Sequence, residues 1–581
     1  MKRIALFLIF CAYSFNCQYG TKLTGTPISS ESDKQNAQNA FDGKLNTEFR
    51  SFSESGGWVG LEFSSPVKIS QIGWAQKSDE IKDYLLGIFE GSNDASFYDS
   101  IPLYMITSQG QLNQINLVEI SCTQTFKYIR YIGPNGKYSV ISQIEIYGEP
   151  SSSDEYLNPE NFYQPTNLPL VVINTENGFL PPDKDKETEV KSNIVIIKDG
   201  KIDAKRSGTI KYRGNSTLDP KKKSLRIKFD IKTKILHLPA TAKKWVLFAN
   251  MYDKTLLRNR IGYQMSTIFG LKYTPACHYV DVIINGDFKG NYLLCDQIEV
   301  DKNRVDIAKL DSSDTNEPEI TGGYIIEGDA FAEREPSYFK TNQGILFCIK
   351  YPGSKDINIQ QAEYIKNKFN QVEAEIYQNN LNNIDFESFA RYFLVQEFAG
   401  NIDGIWSSFY LTKERGDDKI YFGPVWDLDL AFDNDIFLYP TNEKTNFAFK
   451  YIYSNGSTQT LVMKLLSNEL LLQKVKDVWN EMTNNGFNVK TMTKFIDQQV
   501  QLIYQSQKLN FIRWDILKEK QFLQPIARGS YEAEIGYLTE FIKKRFDILG
   551  QIVNCATVES VNEKVKGGWG GWPNWGKNNH L

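Results

Sequence analysis

The strongest constraint on this chain is a break in its patterning. Glu149-Pro-Ser-Ser-Ser-Asp-Glu155 is followed by Pro159, Pro165 and Pro169. Proline removes a backbone donor and fixes φ, and the serines and charges offer no apolar face, so residues 150–168 read as a linker. Before it, short runs alternate apolar and polar side chains: Val59-Gly-Leu-Glu-Phe63, Val67-Lys-Ile-Ser-Gln-Ile72, Tyr128-Ile-Arg-Tyr-Ile132 and Ile141-Ser-Gln-Ile-Glu-Ile-Tyr147. A period of two with Gly and Ser between runs predicts a β-sandwich over 20–149. After it, strand patterns run from Leu170-Val-Val-Ile173 through Asn193–Lys198 to Leu225–Phe229. Helical spacing begins near Leu256. Asn285-Gly286 between apolar runs predicts a hairpin, because both residues accept positive φ. Residues 360–400 carry an aromatic stripe at helical spacing (Phe386, Phe389, Tyr392, Phe393, Phe398), and 458–553 read as mostly helical. The expected second domain spans 169–555, a β-rich part followed by a helical part, joined near 296–330. The tail, 556–581, holds Gly567-Gly-Trp-Gly-Gly-Trp-Pro-Asn-Trp-Gly576 and reads as flexible.

The chain opens with Met-Lys-Arg and a ten-residue apolar run, Ile4 to Tyr13. That is the form of a secretory signal peptide over 1–17, too short to span a bilayer. The expected destination is the cell exterior or the secretory lumen, with no transmembrane anchor. Cysteines are sparse, and a Cys277–Cys295 bridge would close a hairpin-sized loop, although pairing is not readable from sequence. Lys plus Arg total 66 against 70 Asp plus Glu, a net charge of −4 that argues against nucleic acid as a partner. Three histidines in 581 residues leave little for a multi-imidazole zinc site. Chemistry must then rest on carboxylates, Lys, Arg, amides and hydroxyls, a set that suits hard cations.

From about residue 165 to 553, a co-linear series of segments resembles the CotH (spore coat protein H) kinase family. The segments are Tyr212-Arg-Gly-Asn-Ser-Thr217, Lys221–Phe229, Trp245–Asn250 with Asp253, Leu257-Arg-Asn259, Val280–Gly286, Gly290–Leu294, Asp301–Arg304, Gly323–Glu327, Gln396–Asn401 with Asp403-Gly404, and Phe422–Ala431. The resemblance implies a two-lobed, α+β, atypical protein-kinase-like domain. It would move phosphate from a nucleotide to hydroxyls of secreted or surface proteins, with ATP and magnesium or manganese as cofactors. Phosphoryl transfer asks for carboxylates on a divalent metal, a cation on the phosphates and a carboxylate near the attacking hydroxyl. The resemblance gives Asp403 the role of base or positioning carboxylate and Asp427, 24 residues on, that of metal ligand. Asp429 is a second candidate ligand. Ser408 stands where kinases have a metal-binding Asn, a departure from the pattern. For the phosphates, strand alternation puts Arg226 and Lys228 on one face. Lys228 is the first choice and Lys223 the next, with Arg213 on a Gly-containing loop; a solvated basic edge is the alternative. Asp296 stands where the family often has Glu, a departure that shortens reach, and Glu327 and Asp329 are expected to help shape the cleft. Asn215-Ser-Thr217 and Asn455-Gly-Ser457 are glycosylation sequons.

Residues 20–149 resemble discoidin domains, the coagulation-factor type C, galactose-binding-like jelly-roll sandwich. The matching residues are Ala40-Phe-Asp-Gly43, Thr47, Trp58–Glu62 and Ile144-Glu-Ile-Tyr-Gly148. The resemblance implies glycans as a ligand class and a calcium ion held by Asp42, Asn46, Thr47 and Glu145; a plain Asp-Gly turn is the alternative. Trp74, Tyr98 and Tyr104 read as core residues before sugar contacts. The whole chain is thus expected to be multidomain, a secreted kinase carried by a discoidin-like module. The competing reading is a non-catalytic surface adhesin on the same scaffold.

Overall fold

A computed structural model describes residues 20–77, 83–150, 161–452 and 458–565. The signal-peptide region, Asn455 and the Trp-rich segment lie outside the described residues. The chain divides into two compact units: Met1–Pro165 with Asp199–Ile202 and Ile283–Phe288, and Thr166–Lys198 with Asp203–Val282 and Lys289–Leu581.

The first unit is β-rich. Its elements are β1 (Thr21–Lys22), β2 (Thr26–Ser29), α1 (Lys34–Asn39), β3 (Phe49–Arg50), β4 (Trp58–Ala75), β5 (Ile88–Ser92), β6 (Ile101–Met105), β7 (Asn116–Glu119), β8 (Thr125–Ile132), β9 (Val140–Ile141) and β10 (Gln143–Pro150). The two runs expected as separate strands, 59–63 and 67–72, form the single 18-residue β4. Its register with β8 shifts between Glu62 and Val67, a bulge, and β10 pairs along its other edge from Val67 to Ala75. The sheet order is β1-β10-β4-β8-β5-β6, with β2 and β7 also pairing β4. Alternation buries Val59, Leu61, Phe63, Ile69, Ile72, Tyr131, Ile144 and Ile146. Trp74 is buried with them, as a core residue.

The second unit begins where the sequence expects a linker. Thr166 donates to the Asp281 carboxylate at 2.6 Å and Leu168 is fully buried, so this end of 150–168 is anchored rather than free. A closed barrel runs β11 (Leu170–Thr175), β12 (Val190–Lys198), β13 (Lys201–Tyr212), β14 (Leu225–Thr233), β15 (Ala242–Phe248), β17 (Asp287–Asp296), β16 (Cys277–Ile284). The expected hairpin turn is present, with φ of 51° at Asn285 and 76° at Gly286. Cys277 and Cys295 are both free thiols, so the contemplated bridge is not formed. Between β15 and β16 lies α2 (Arg258–Ile268). A second sheet, not foreseen as one unit, has the order β19 (Tyr338–Lys340), β20 (Leu346–Tyr351), β18 (Tyr324–Gly328), β21 (Phe409–Lys413), β22 (Ile420–Phe422).

Helices α3 (Ile359–Tyr377) and α4 (Phe386–Ala399) occupy the predicted helical stretch. Phe389, Tyr392, Phe393 and Phe398 are buried, and Phe389 meets Phe422 edge-on at 5.0 Å. The short α5 (Asp403–Trp406) follows, then α6 (Thr458–Leu466), α7 (Glu469–Asn484), α8 (Val489–Leu502), α9 (Tyr504–Arg513), α10 (Tyr531–Cys555) and α11 (Val558–Asn562). The last corrects the expectation of a flexible tail from 556 onward. Thr557 and Ser560 form a capping box, Val561 is buried, and Lys450 donates to the Ser560 carbonyl at 2.5 Å.

Candidate active site

Helix α4 stops at Gly400, whose φ of 56° is the left-handed turn that glycine adopts without strain. The chain then enters α5, whose first residue is Asp403. The Asp403 carbonyl accepts the N–H groups of Ser407 and Ser408, each at 2.9 Å, and the Tyr392 hydroxyl donates to the Gly404 carbonyl at 2.5 Å. A buried aromatic of the α4 stripe therefore fixes the loop that carries the acid. Asp427 follows β22 with a φ of 57°, a conformation rare for a non-glycine residue and sustained only by surrounding contacts. Those contacts are present. Asn259 accepts the Leu428 N–H at 2.8 Å, Asn401 donates to the Asp427 carbonyl at 3.3 Å, and Phe432 N–H donates to the Ala399 carbonyl at 2.7 Å.

Asp403, Asp427, Asp429 and Ser408 all line one cleft of about 1050 Å³, together with Arg213 and Arg226. Burial pushes the Asp403 carboxyl up to about 8, reinforced by the charges of Asp427, Asp435 and Asp329. Burial likewise raises Asp427, opposed by the Arg213 guanidinium. Asp429 stands well above the usual range through burial and then the charges of Asp427, Asp403 and Asp253. Acids that repel one another in a dry site are the arrangement a cation relieves.

Two of the expected phosphate cations are not in that lining. Lys228 sits two residues beyond Arg226 on the same face, with its side chain 43% exposed and 3.5 Å from Glu189. Lys223 turns to Asp183 at 2.8 Å and to the carbonyls of Leu218 and Pro220. Alternation gives the face of a strand but not how far along it the cleft extends, which is why Lys228 is outside the lining; Lys223 lies before β14, where alternation says nothing. Arg213 is in the lining, and its guanidinium lies 5.0 Å from the Phe248 ring centre and 5.5 Å from that of Trp426. Arg226 lines the cleft with its charge already paired to Glu189.

Lys211 and Lys350 also line the cleft, and sequence reasoning passed over both. Lys211 lies opposite Arg226 across β13 and β14, a pairing that hairpin register would have disclosed. Burial lowers the Lys211 ammonium, and the Arg226 charge lowers it further. Lys350 is 2.7 Å from Glu327 and 3.8 Å from Glu335. Burial pushes Glu327 up to about 7 even so. Among the described residues, Glu327, Asp329 and Cys348 are the group of three whose ligand atoms converge within 4.8 Å. The Lys350 ammonium already sits against it.

In the N-terminal unit the expected calcium ligands have partners of their own. The Asp42 carboxylate accepts from the Thr47 hydroxyl at 3.0 Å and the Lys44 N–H at 2.9 Å. Glu145 pairs with Lys22 at 2.7 Å and accepts the Tyr147 hydroxyl at 2.6 Å. Asn46 is exposed on the intervening turn.

Comparison with known proteins bears on both units. The family model described as CotH kinase protein matches residues 210–549. The chain belongs to the CotH kinase family. No curated protein matches it. Among solved structures, the N-terminal region is similar to the CBM62 of Clostridium thermocellum Xyl5A, at 32% identity over 23% of this chain and 99% of that one, with a TM-score of 0.22. It is also similar to CpGH89CBM32-6 produced by Clostridium perfringens, at 20% identity over 21% and 91% of the two chains, with a TM-score of 0.18. An F5/8 type C domain from Bacteroides fragilis matches at 12% identity over 23% and 99%, with a TM-score of 0.20. This CotH chain joins its kinase-family region to a β-rich N-terminal unit. Among the described residues no helix is long and apolar enough to cross a membrane.

Proposed function

We propose that the protein is a secreted atypical kinase with a two-lobed catalytic domain, transferring the terminal phosphate of ATP to hydroxyls of secreted or surface proteins. The observation that carries this reading is the presence of Asp403, Asp427 and Asp429 in one cleft with Arg213, in a chain of the CotH kinase family. The donor set suits magnesium or manganese. Asp427 and Asp429 offer hard oxygens, and Asn401, whose Nδ2 donates to the Asp427 carbonyl, keeps a buried Oδ1 without a hydrogen-bond partner. Ser408 lies at the same cleft and remains a proposed ligand. A bound dication supplies charge neutralisation at phosphate oxygens. Arg213, held near the Phe248 and Trp426 rings, is pre-organised for a phosphate oxygen. Asp403 accepts the proton as the acceptor oxygen bonds to phosphorus and the bond to the departing nucleoside diphosphate breaks.

The test is incubation of the full chain with labelled ATP and magnesium or manganese, beside Asp403→Asn and Asp427→Ala. Labelling by wild type alone is expected. Wild type that neither transfers phosphate nor binds nucleotide would leave the adhesin reading in its place.

The N-terminal unit is proposed to bind glycans and so bring the kinase to its substrates. Phe52, 66% exposed, and Tyr138, with Arg50 4.9 Å above its ring, offer the flat apolar faces and the cation that sugar rings accept. Calcium at Asp42, Asn46, Thr47 and Glu145 is part of this proposal. It would compete with Lys22 for Glu145, so calcium should raise the melting temperature of the full chain and Glu145→Gln should abolish the rise.

A further inference from the structure

The segment bearing Asp427 and Asp429 is clamped by one helix. Asp253 lies just before α2, and its carboxylate accepts the N–H of Thr255 at 2.9 Å and that of Arg258 at 2.8 Å. It also pairs with the Arg258 guanidinium, and both side chains are fully buried. Held this way, Arg258 donates through Nε to the Ala431 carbonyl at 3.0 Å and through Nη2 to the Phe432 carbonyl at 3.5 Å. Asn259 accepts the Leu428 N–H at 2.8 Å and donates to Asn250 Oδ1 at 3.3 Å. One turn further, a Cβ on Gly262 would meet Leu428 Cδ2 at 2.4 Å, so α2 lies directly against that side chain. Asp427, Phe432 and Asp433 all have φ between 55° and 59°. Backbone of this kind persists only where its surroundings over-determine it, and α2 supplies three of those restraints.

We propose that α2 sets the geometry of the acidic segment, with Asn259 as the positioning residue that holds the Leu428 amide between the two carboxylates. The proposal rests on the metal role given to Asp427 and Asp429 above. Loss of the Asn259 acceptor frees one N–H and relaxes the left-handed turn at Asp427. The two carboxylates then lose their fixed separation. Residues that orient metal ligands typically affect metal affinity by about 10- to 100-fold. Gly262→Ala would disturb the same segment from the side of Leu428.

The experiment uses the full chain and two readouts. Amide exchange over residues 426–433 is compared among wild type, Asn259→Ala and Gly262→Ala, with α4 as internal reference. Mn²⁺ affinity without nucleotide is measured beside Asp427→Ala. The expected result is exchange about fivefold faster at 426–433 alone, the effect of one lost hydrogen bond. Mn²⁺ binding should weaken about tenfold or more in both variants. Unchanged exchange overturns the proposal. So does faster exchange spread evenly over α4, or Mn²⁺ affinity equal to wild type in both variants. Wild type that binds no Mn²⁺ would sink the metal reading, while the exchange comparison would still decide whether α2 holds the segment.

Discussion

At the scale of single residues, Asp403 and Arg213 carry the sharpest expectations. A positioned base contributes about 10²- to 10⁴-fold to rate. Asp403→Asn keeps the size of the side chain and the α5 loop bonds, which run through the backbone carbonyl. It should reduce phosphate transfer by at least about a hundredfold while leaving nucleotide binding in place, read by comparing single-turnover rate with equilibrium titration. Arg213→Lys keeps the charge but loses the guanidinium that lies against the Phe248 and Trp426 rings. A raised KM for ATP with little change in melting temperature is expected. Asp403 and Asp427 stand out in the sequence through a co-linear series of segments, and both line one cleft. The basic residues are harder to rank. Lys228 and then Lys223 come first on paper, yet of the four candidates the cleft includes Arg226 and Arg213.

At the scale of elements, α4 and α10 are joined by a buried ion pair. Arg545 Nη2 lies 3.0 Å from Glu397 and also donates to the Glu397 carbonyl at 2.6 Å. Glu397 further accepts the N–H groups of Ala448 and Phe449. Burial raises the Glu397 carboxyl, opposed by Arg545. Removing one member leaves a buried charge without its partner, which costs about 3–5 kcal/mol. Arg545→Leu should lower stability by that amount in denaturant titration. The cost should shrink in the double variant Arg545→Leu, Glu397→Met, where no charge remains. The stripe on α4 was readable from spacing, since aromatics at three- and four-residue intervals must share a face. Its partners were not. Phe422, Phe447 and Phe449 come from distant segments that only the packed structure brings together.

At the scale of the whole molecule, one buried acid ties several parts of the second unit together. Asp281 on β16 accepts the hydroxyls of Thr166 at 2.6 Å and Ser506 at 2.5 Å, with the Lys222 ammonium nearby. Burial pushes its carboxyl up to about 6, against those hydrogen bonds and the Lys222 charge. The folded state then holds a proton more tightly than the unfolded one, whose Asp titrates near about 3.9. This contribution to stability is complete below about pH 4 and declines as pH rises through about 6. A shift of about two units corresponds to about 3 kcal/mol. Asp281→Asn should flatten that part of the profile, measured as the difference from wild type in melting temperature between pH 4 and pH 7.

The sequence by itself determined the division into a β-rich module and a larger second region, the hairpin at Asn285-Gly286 and the α4 stripe. All of these depend on local periodicity, turn chemistry or short segments. Tertiary structure alone decided that β4 is one bulged strand, that Val558–Asn562 packs as α11, and that Lys350 meets Glu327. It also decided that α2 holds the turn at Asp427. Each of these depends on packing against other segments, and what selects them is burial, a property of the packed whole that no local pattern records.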